Sequence, residues 1–217
     1  MWFVANNPIL MKSMPPNIVD VARVMLDRGV EREDLDYTLE LVTTRAAARE
    51  AGLQAPLMRL LLDAGATATR ESVHATAAYR ELAALRALLG RGYPLSAPLA
   101  AALDDPRLAQ LLAVADRSDV QIAFGLAMIN RHREAARLAL EAGADVNAFM
   151  PVHAHMTALH QAAQDDDVST IEFLLARGAR LDIRDTIWNG TPLDWATHFD
   201  RKAARAALKR ALTWDSL

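Results

Sequence analysis

The chain of 217 residues contains no cysteine, which excludes a disulfide scaffold, a thiolate zinc site and a cysteine nucleophile together. Neither sign of charge dominates: 24 basic side chains face 27 acidic ones, a net charge of −3, so no whole-molecule field would hold nucleic acid or an anionic membrane. No uninterrupted apolar run reaches the roughly 18 residues a membrane span requires, and residues 1–16 have neither a basic start nor a continuous apolar core. Also missing are the phosphate-cradling GxxxxGK[ST], a GxGxxG after a strand, HExxH and GxSxG. These absences set the expectation of a soluble, cytoplasmic, non-catalytic protein with no cofactor, no nucleic-acid partner and no membrane partner. Aromatic residues are scarce at 6%, while 43 Ala and 31 Leu make up about a third of the chain. Small and unbranched apolar residues favour helices over sheets, so the composition predicts an all-α fold.

The chain repeats itself. Aligned on Gly29, Gly65, Gly92, Gly143 and Gly178, the residue three positions earlier is always leucine: Leu26, Leu62, Leu89, Leu140 and Leu175. Four earlier stand Met25, Leu61, Leu88, Ala139 and Leu174, and seven earlier Ala22, Met58, Leu85, Ala136 and Ile171. Six earlier the residues are charged: Arg23, Arg59, Arg86, Arg137 and Glu172. One face of a 3.6-residue period is therefore apolar and the opposite face charged, which predicts an amphipathic helix in each segment. The glycine suits the left-handed position at which helices commonly stop. A drifted copy runs Leu108, Leu111 and Leu112, with Ala115 in the glycine's place and Asp105-Pro106 marking its start. Between these helices lie further apolar, Ala-rich stretches at 34–47, 72–78, 97–103, 120–129 and 157–164. The unit is a helix pair, too small to hide its apolar faces alone, and stacked neighbours are needed to form a continuous core.

The last third carries two linked motifs. Gly143-Ala144-Asp145-Val146-Asn147-Ala148 leads to Thr157-Ala158-Leu159-His160-Gln161-Ala162-Ala163, and Gly178-Ala179 leads through Asp185 to Thr191-Pro192-Leu193-Asp194-Trp195-Ala196. They resemble the "GADVNA" and "TPLHxAA" segments of ankyrin repeats, and the two threonines stand 34 positions apart, against a family period of about 33. Thr157 and Thr191 can cap the free N–H groups of a helix start, and Pro192 fits the first helical position. The resemblance assigns His160 to a polar network tying one repeat's turn to the next; Asp194 replaces that histidine, which predicts that the network ends there. It also implies a solenoid of stacked helix pairs with short β-hairpin fingers between them.

The whole of 1–217 reads as one array, with approximate repeats at 1–32, 33–69, 70–96, 97–118, 119–150, 151–185 and 186–217. The end-of-helix positions 29, 65, 92, 115, 143 and 178 crowd together in the middle, leaving no room there for a long finger. Fingers are expected only near the C-terminal end. The first helix of the first repeat reduces to residues 2–10, and the chain reads as compatible with the C-terminal part of a longer array.

Such solenoids bind along their groove and finger tips. The finger between Asn147 and Thr157 contributes Phe149, Met150, Val152, His153 and His155, and the next contributes Ile187 and Trp188, with Asn189-Gly190 suited to a tight turn. Aromatic and Met side chains at a tip either pack on a neighbouring finger or serve as binding hot spots. On the groove-facing helices the resemblance places Gln161, Gln164, Asp165, Trp195 and His198. The run Asp165-Asp166-Asp167 suits the N-terminus of a helix beginning near Val168. His153 and His155, with His160 nearby, raise a metal alternative, but a closed zinc site needs four ligands and no fourth is adjacent, so no metal is expected. The helix at 200–212 is cationic on one face, which a terminal repeat's wettable outer surface explains. The functional expectation is a monomeric adaptor binding a protein partner through its groove and C-terminal fingers. An immunity or inhibitor protein for a cognate toxin or enzyme is the alternative within the same class. The Ala- and Arg-rich style resembles bacterial ankyrin proteins.

Overall fold

A computed structural model describes residues 14–151 and 154–214. The expected helix at 2–10 and the finger residues Val152 and His153 lie outside the described residues. The chain divides into two compact units, Met1–Leu95 and Ser96–Leu217. The first holds α1 (Ile18–Asp27), α2 (Arg32–Thr44), α3 (Ala46–Glu50), α4 (Gln54–Asp63), α5 (Arg70–Ala78) and α6 (Leu82–Leu89). The second holds α7 (Ala97–Leu103), α8 (Leu108–Leu112), α9 (Arg117–Ile129), α10 (Arg133–Glu141), α11 (Ala158–Gln164), α12 (Val168–Leu175), α13 (Pro192–His198) and α14 (Lys202–Trp214). No helix among the described residues is long and apolar enough to cross a membrane.

The apolar stripe does what its period requires. All five residues seven positions before a stop glycine, Ala22, Met58, Leu85, Ala136 and Ile171, are fully buried, while Arg23, Arg59, Arg86 and Glu172 on the opposite face are exposed. In the first unit α2 packs on α4 and α5, and α4 on α1 and α6. In the second, α7 packs on α9, α11 on α13, α8 on α10 and α12 on α14, so helices of one kind stack in their own layer. Each pair covers the face its neighbour cannot cover for itself.

Two kinds of left-handed turn make this possible. Gly29, Gly65, Gly92, Gly143 and Gly178 all have positive φ, between +84° and +102°, and at four of them the following amide reaches back to the helix: Ala66 to Leu61 O, Tyr93 to Leu88 O, Ala144 to Ala139 O and Ala179 to Leu174 O. The turns inside the pairs use the same geometry without glycine. Arg80, Asp104, Arg131, Asp166 and Asp200 have φ of 50–63°, and the next amide closes on the preceding helix, as His132 does on Ala127 O at 2.9 Å. None of the five is glycine, and only the three aspartates belong to a residue type that enters left-handed backbone with any frequency.

Two expectations need correction. The apolar stretch at 34–47 is split, because Arg45 is extended (φ −91°, ψ 150°) between α2 and α3. The buried side chain of Gln54 explains why the chain tolerates the break there: its Nε2 donates to Val42 O at 3.0 Å, satisfying a carbonyl at the end of α2. The expected β-hairpin fingers are also not shown among the described residues. Among the described residues there is no strand, only one antiparallel bridge between Phe149 and Thr157, with the Met150 amide on Met156 O at 2.9 Å. Pro151 has no N–H to continue that ladder, and the next finger spends its amides on a side chain, as described below.

The stop-glycine geometry is testable on its own. A Cβ on Gly143 would meet no atom within 4 Å, so Gly143→Ala changes only the cost of a left-handed backbone. It is expected to lower unfolding stability by about 1–2 kcal/mol in urea titrations followed by circular dichroism. An unchanged midpoint would contradict the assignment.

Candidate functional site

The C-terminal finger is built on two buried polar side chains. Thr157 precedes α11, and His160, fully buried, turns its Nδ1 back to the Thr157 amide at 3.3 Å and hydroxyl at 2.8 Å. With Nδ1 accepting, Nε2 carries the proton and donates to Gly190 O at 3.0 Å, thirty residues along the chain. One ring thus caps its own helix and holds the following loop. Burial lowers the imidazole below its ordinary range, against the opposing pull of the Gly190 carbonyl and the Asp185 carboxylate. At the equivalent place in the next repeat Asp194 Oδ2 accepts from the Thr191 amide and hydroxyl, both at 2.8 Å. It keeps the cap and, among the described residues, pairs beyond it only with Arg184, at 3.8 Å.

Asp185 is the residue sequence reading passed over. It is buried, and its Oδ1 accepts the amides of Ile187 at 2.9 Å and Trp188 at 2.7 Å. Its Oδ2 accepts the Gly190 amide at 2.8 Å and the Trp195 indole at 2.9 Å, while its own amide donates to Gly190 O. Burial would raise the carboxyl, but the Trp188 amide, the Trp195 indole and the Gly190 and Ile187 amides outweigh it and hold Asp185 well below the usual carboxylate range. The loop's N–H groups converge on a carboxylate instead of pairing across a hairpin. The signal was available: an aspartate two, three and five residues before N–H groups of an Asn-Gly turn is the pattern of a side-chain-closed turn.

The loop displays what it does not use. Ile187 and Trp188 are 60% and 63% exposed. Trp188 leans on Trp195 with ring centroids 5.3 Å apart, and His155 meets Trp188 edge-on at 6.5 Å and stacks over Trp195 at 6.1 Å. His198 is exposed and lies edge-on to Phe199 at 4.9 Å. Trp195 itself is interior at 4%, as is Met150 at 1%, whereas Phe149 is 39% exposed. The first finger is seated closely on α9, since a Cβ on Gly125 would come within 3.0 Å of Pro151 Cδ, and its His155 carbonyl accepts the Thr186 amide of the second finger at 3.0 Å.

The remaining candidates gather elsewhere. Gln161 and Asp165 line a cleft of about 250 Å³ with Met128, Arg131, His132 and Phe173. Gln161 Nε2 donates to Asp165 Oδ1 at 3.1 Å, and Arg131 reaches Asp165 Oδ2 at 3.2 Å. Gln164, half-buried at the end of α11, is not in that lining. The three acids of the run divide their work: Asp165 pairs backward with Arg131, Asp166 Oδ1 accepts the Ala204 amide of α14 at 2.7 Å, and Asp167 caps α12 through the Thr170 amide at 3.0 Å. Among the described residues no three His, Cys, Asp or Glu side chains group as a metal would require; His153 lies outside them.

A family model described as ankyrin repeats, in three copies, matches residues 97–185. Over that span the chain is similar to ankyrin repeats. No curated protein matches the chain. Ankyrin repeats are protein-interaction modules and are typically non-catalytic. The bridge from His160 runs past the matched span to Gly190, in the loop that carries Trp188.

Both buried groups make the finger base sensitive to acid. Each has a folded-state pKa below its unfolded value, so the stability it contributes is present above the unfolded value and is lost as pH falls. The window opens below about 6.5 for His160 and below about 4 for Asp185. Asp185→Asn leaves N–H groups without a charged acceptor and is expected to cost about 1–3 kcal/mol at pH 7 and to remove the lower acid leg of the thermal midpoint. Tryptophan fluorescence reports this, because the Trp188 amide and the Trp195 indole both donate to Asp185. Equal stability of Asp185→Asn and the parent at pH 7 would contradict the assigned role.

Proposed function

We propose that the chain is a non-catalytic adaptor that captures a protein partner with its C-terminal finger tips, chiefly Trp188 and Ile187, with Phe149, His155 and His198 alongside. The observation that carries this reading is that the two most exposed apolar side chains of the finger stand on a loop closed by a buried carboxylate. Leaving Trp and Ile in water is unfavourable, and a chain with no use for them there would bury or replace them. Large aromatic side chains at a rigid prominence are what interface hot spots are made of. Because the loop is already ordered, little conformational entropy remains to be lost on binding.

In this reading Met150 and Trp195 support the surface from inside, and Gln161, Gln164 and Asp165 contribute only where a partner extends into the groove. The adaptor works as a monomer, with its partner rather than a second copy covering the tip.

The partner is identified by affinity capture from the native cell followed by mass spectrometry. Trp188→Ala combined with Phe149→Ala is expected to reduce capture at least tenfold, on the order of a hot-spot loss, with unchanged helix content by circular dichroism. Undiminished capture by the double variant would remove the assignment.

A further inference from the structure

The helix α14 faces the interior with Ala204, Ala207 and Leu208 and leaves Lys202, Lys209 and Arg210 exposed, with Arg205 partly so. Between residues 201 and 214 there is no acidic residue. Among the described residues none of these four cations takes part in an ion pair, whereas several arginines elsewhere do: Arg91 with Asp63, Arg131 with Asp165, Arg137 with Glu134 and Glu141, and Arg180 with Asp182.

A wettable end to the array does not account for this. The outer helix α10 is equally wettable with mixed signs, its Arg137 held between Glu134 and Glu141. In α14, by contrast, Lys202 and Arg205 are three apart and Arg205 and Lys209 four apart, like-charged neighbours on one helix face that repel each other. The N-terminus of α14 already has an anion, since Asp166 Oδ1 accepts the Ala204 amide, but that carboxylate pairs with none of the four cations. The helix face carries a like-charge penalty that a bound anion would relieve.

We propose that the exposed face of α14 is a second docking surface, which takes a short carboxylate-rich segment of a partner protein. Length and charge favour that occupant over a nucleic acid. Thirteen residues of helix present about 20 Å of cationic edge, enough for a few turns of an acidic segment. Five of the 24 basic residues lie between 201 and 210, so the rest of the chain sets 19 basic against 27 acidic residues. A long phosphate polymer would run off the patch into that negative field, whereas a short segment stays within it. Exposed Ala203 and Ala206 between the cations let a partner backbone come close.

The test uses the full chain and a fluorescein-labelled peptide of twelve glutamates, read by anisotropy. The peptide is expected to bind, to weaken at least tenfold between 50 and 300 mM salt, and to lose at least tenfold in Lys202→Glu/Lys209→Glu. Lys202→Ala/Lys209→Ala, which introduces no new charge, is expected to lose severalfold. Arg137→Ala, a paired arginine elsewhere, and Trp188→Ala are expected to bind as the parent does, which separates this surface from the finger site. The idea is overturned if the peptide does not bind, if both Lys202/Lys209 double variants bind it unchanged, or if a 20-base-pair DNA duplex or phosphatidylserine vesicles bind more tightly than the peptide.

Discussion

A pair of five- to thirteen-residue helices has more apolar face than its two members can cover for each other, so a pair is stable only where a neighbouring pair of its own unit lies against it. That constraint dictates small side chains between layers and two sharp left-handed turns per pair, and it leaves the loops between pairs at the edge. It also explains why the polar bonds that matter run between repeats. Asn147 joins the Gly178 carbonyl and the Arg180 amide across one junction, and His160 joins Gly190 across the next.

The functional consequence follows from where the stack places unsatisfied groups. A loop at the edge of the array has amides that no strand or helix uses, and a buried aspartate has a charge that must be solvated. In the loop at 185–190 each meets the other's need: four N–H donors, three of them backbone amides, surround Asp185. The loop is rigid because the carboxylate would be costly to leave bare. Its rigidity is what allows two apolar side chains to stand in solvent.

Much of this was legible in the sequence. The period of Leu and Gly placed the helices and their stops, because a helix face and a left-handed turn each impose a residue type at a fixed spacing. Thr157, Thr191 and Pro192 marked helix starts for the same reason, and the expectation that the His160 network stops at Asp194 rested on the replacement of a histidine by an aspartate. What was illegible depends on long-range partners. The break at Arg45 is tolerated because Gln54 reaches carbonyls eleven and twelve residues earlier, the turns at Arg80 and Arg131 use residues without left-handed preference, and in the second finger Asp185 takes the amides that a strand would use. Trp188 was recognisable as a tip residue and Trp195 was not recognisable as interior, since only the packed loop distinguishes them.

The central claim is that the exposed tip is held as firmly as the helices beneath it. Hydrogen exchange at the amides of Trp188 and Gly190, resolved by NMR at neutral pH, tests it most directly. Protection comparable to that of the α13 amides is the result this account requires. Exchange at the rate of an open loop would show that Asp185 does not organise the finger and that the surface is not preformed.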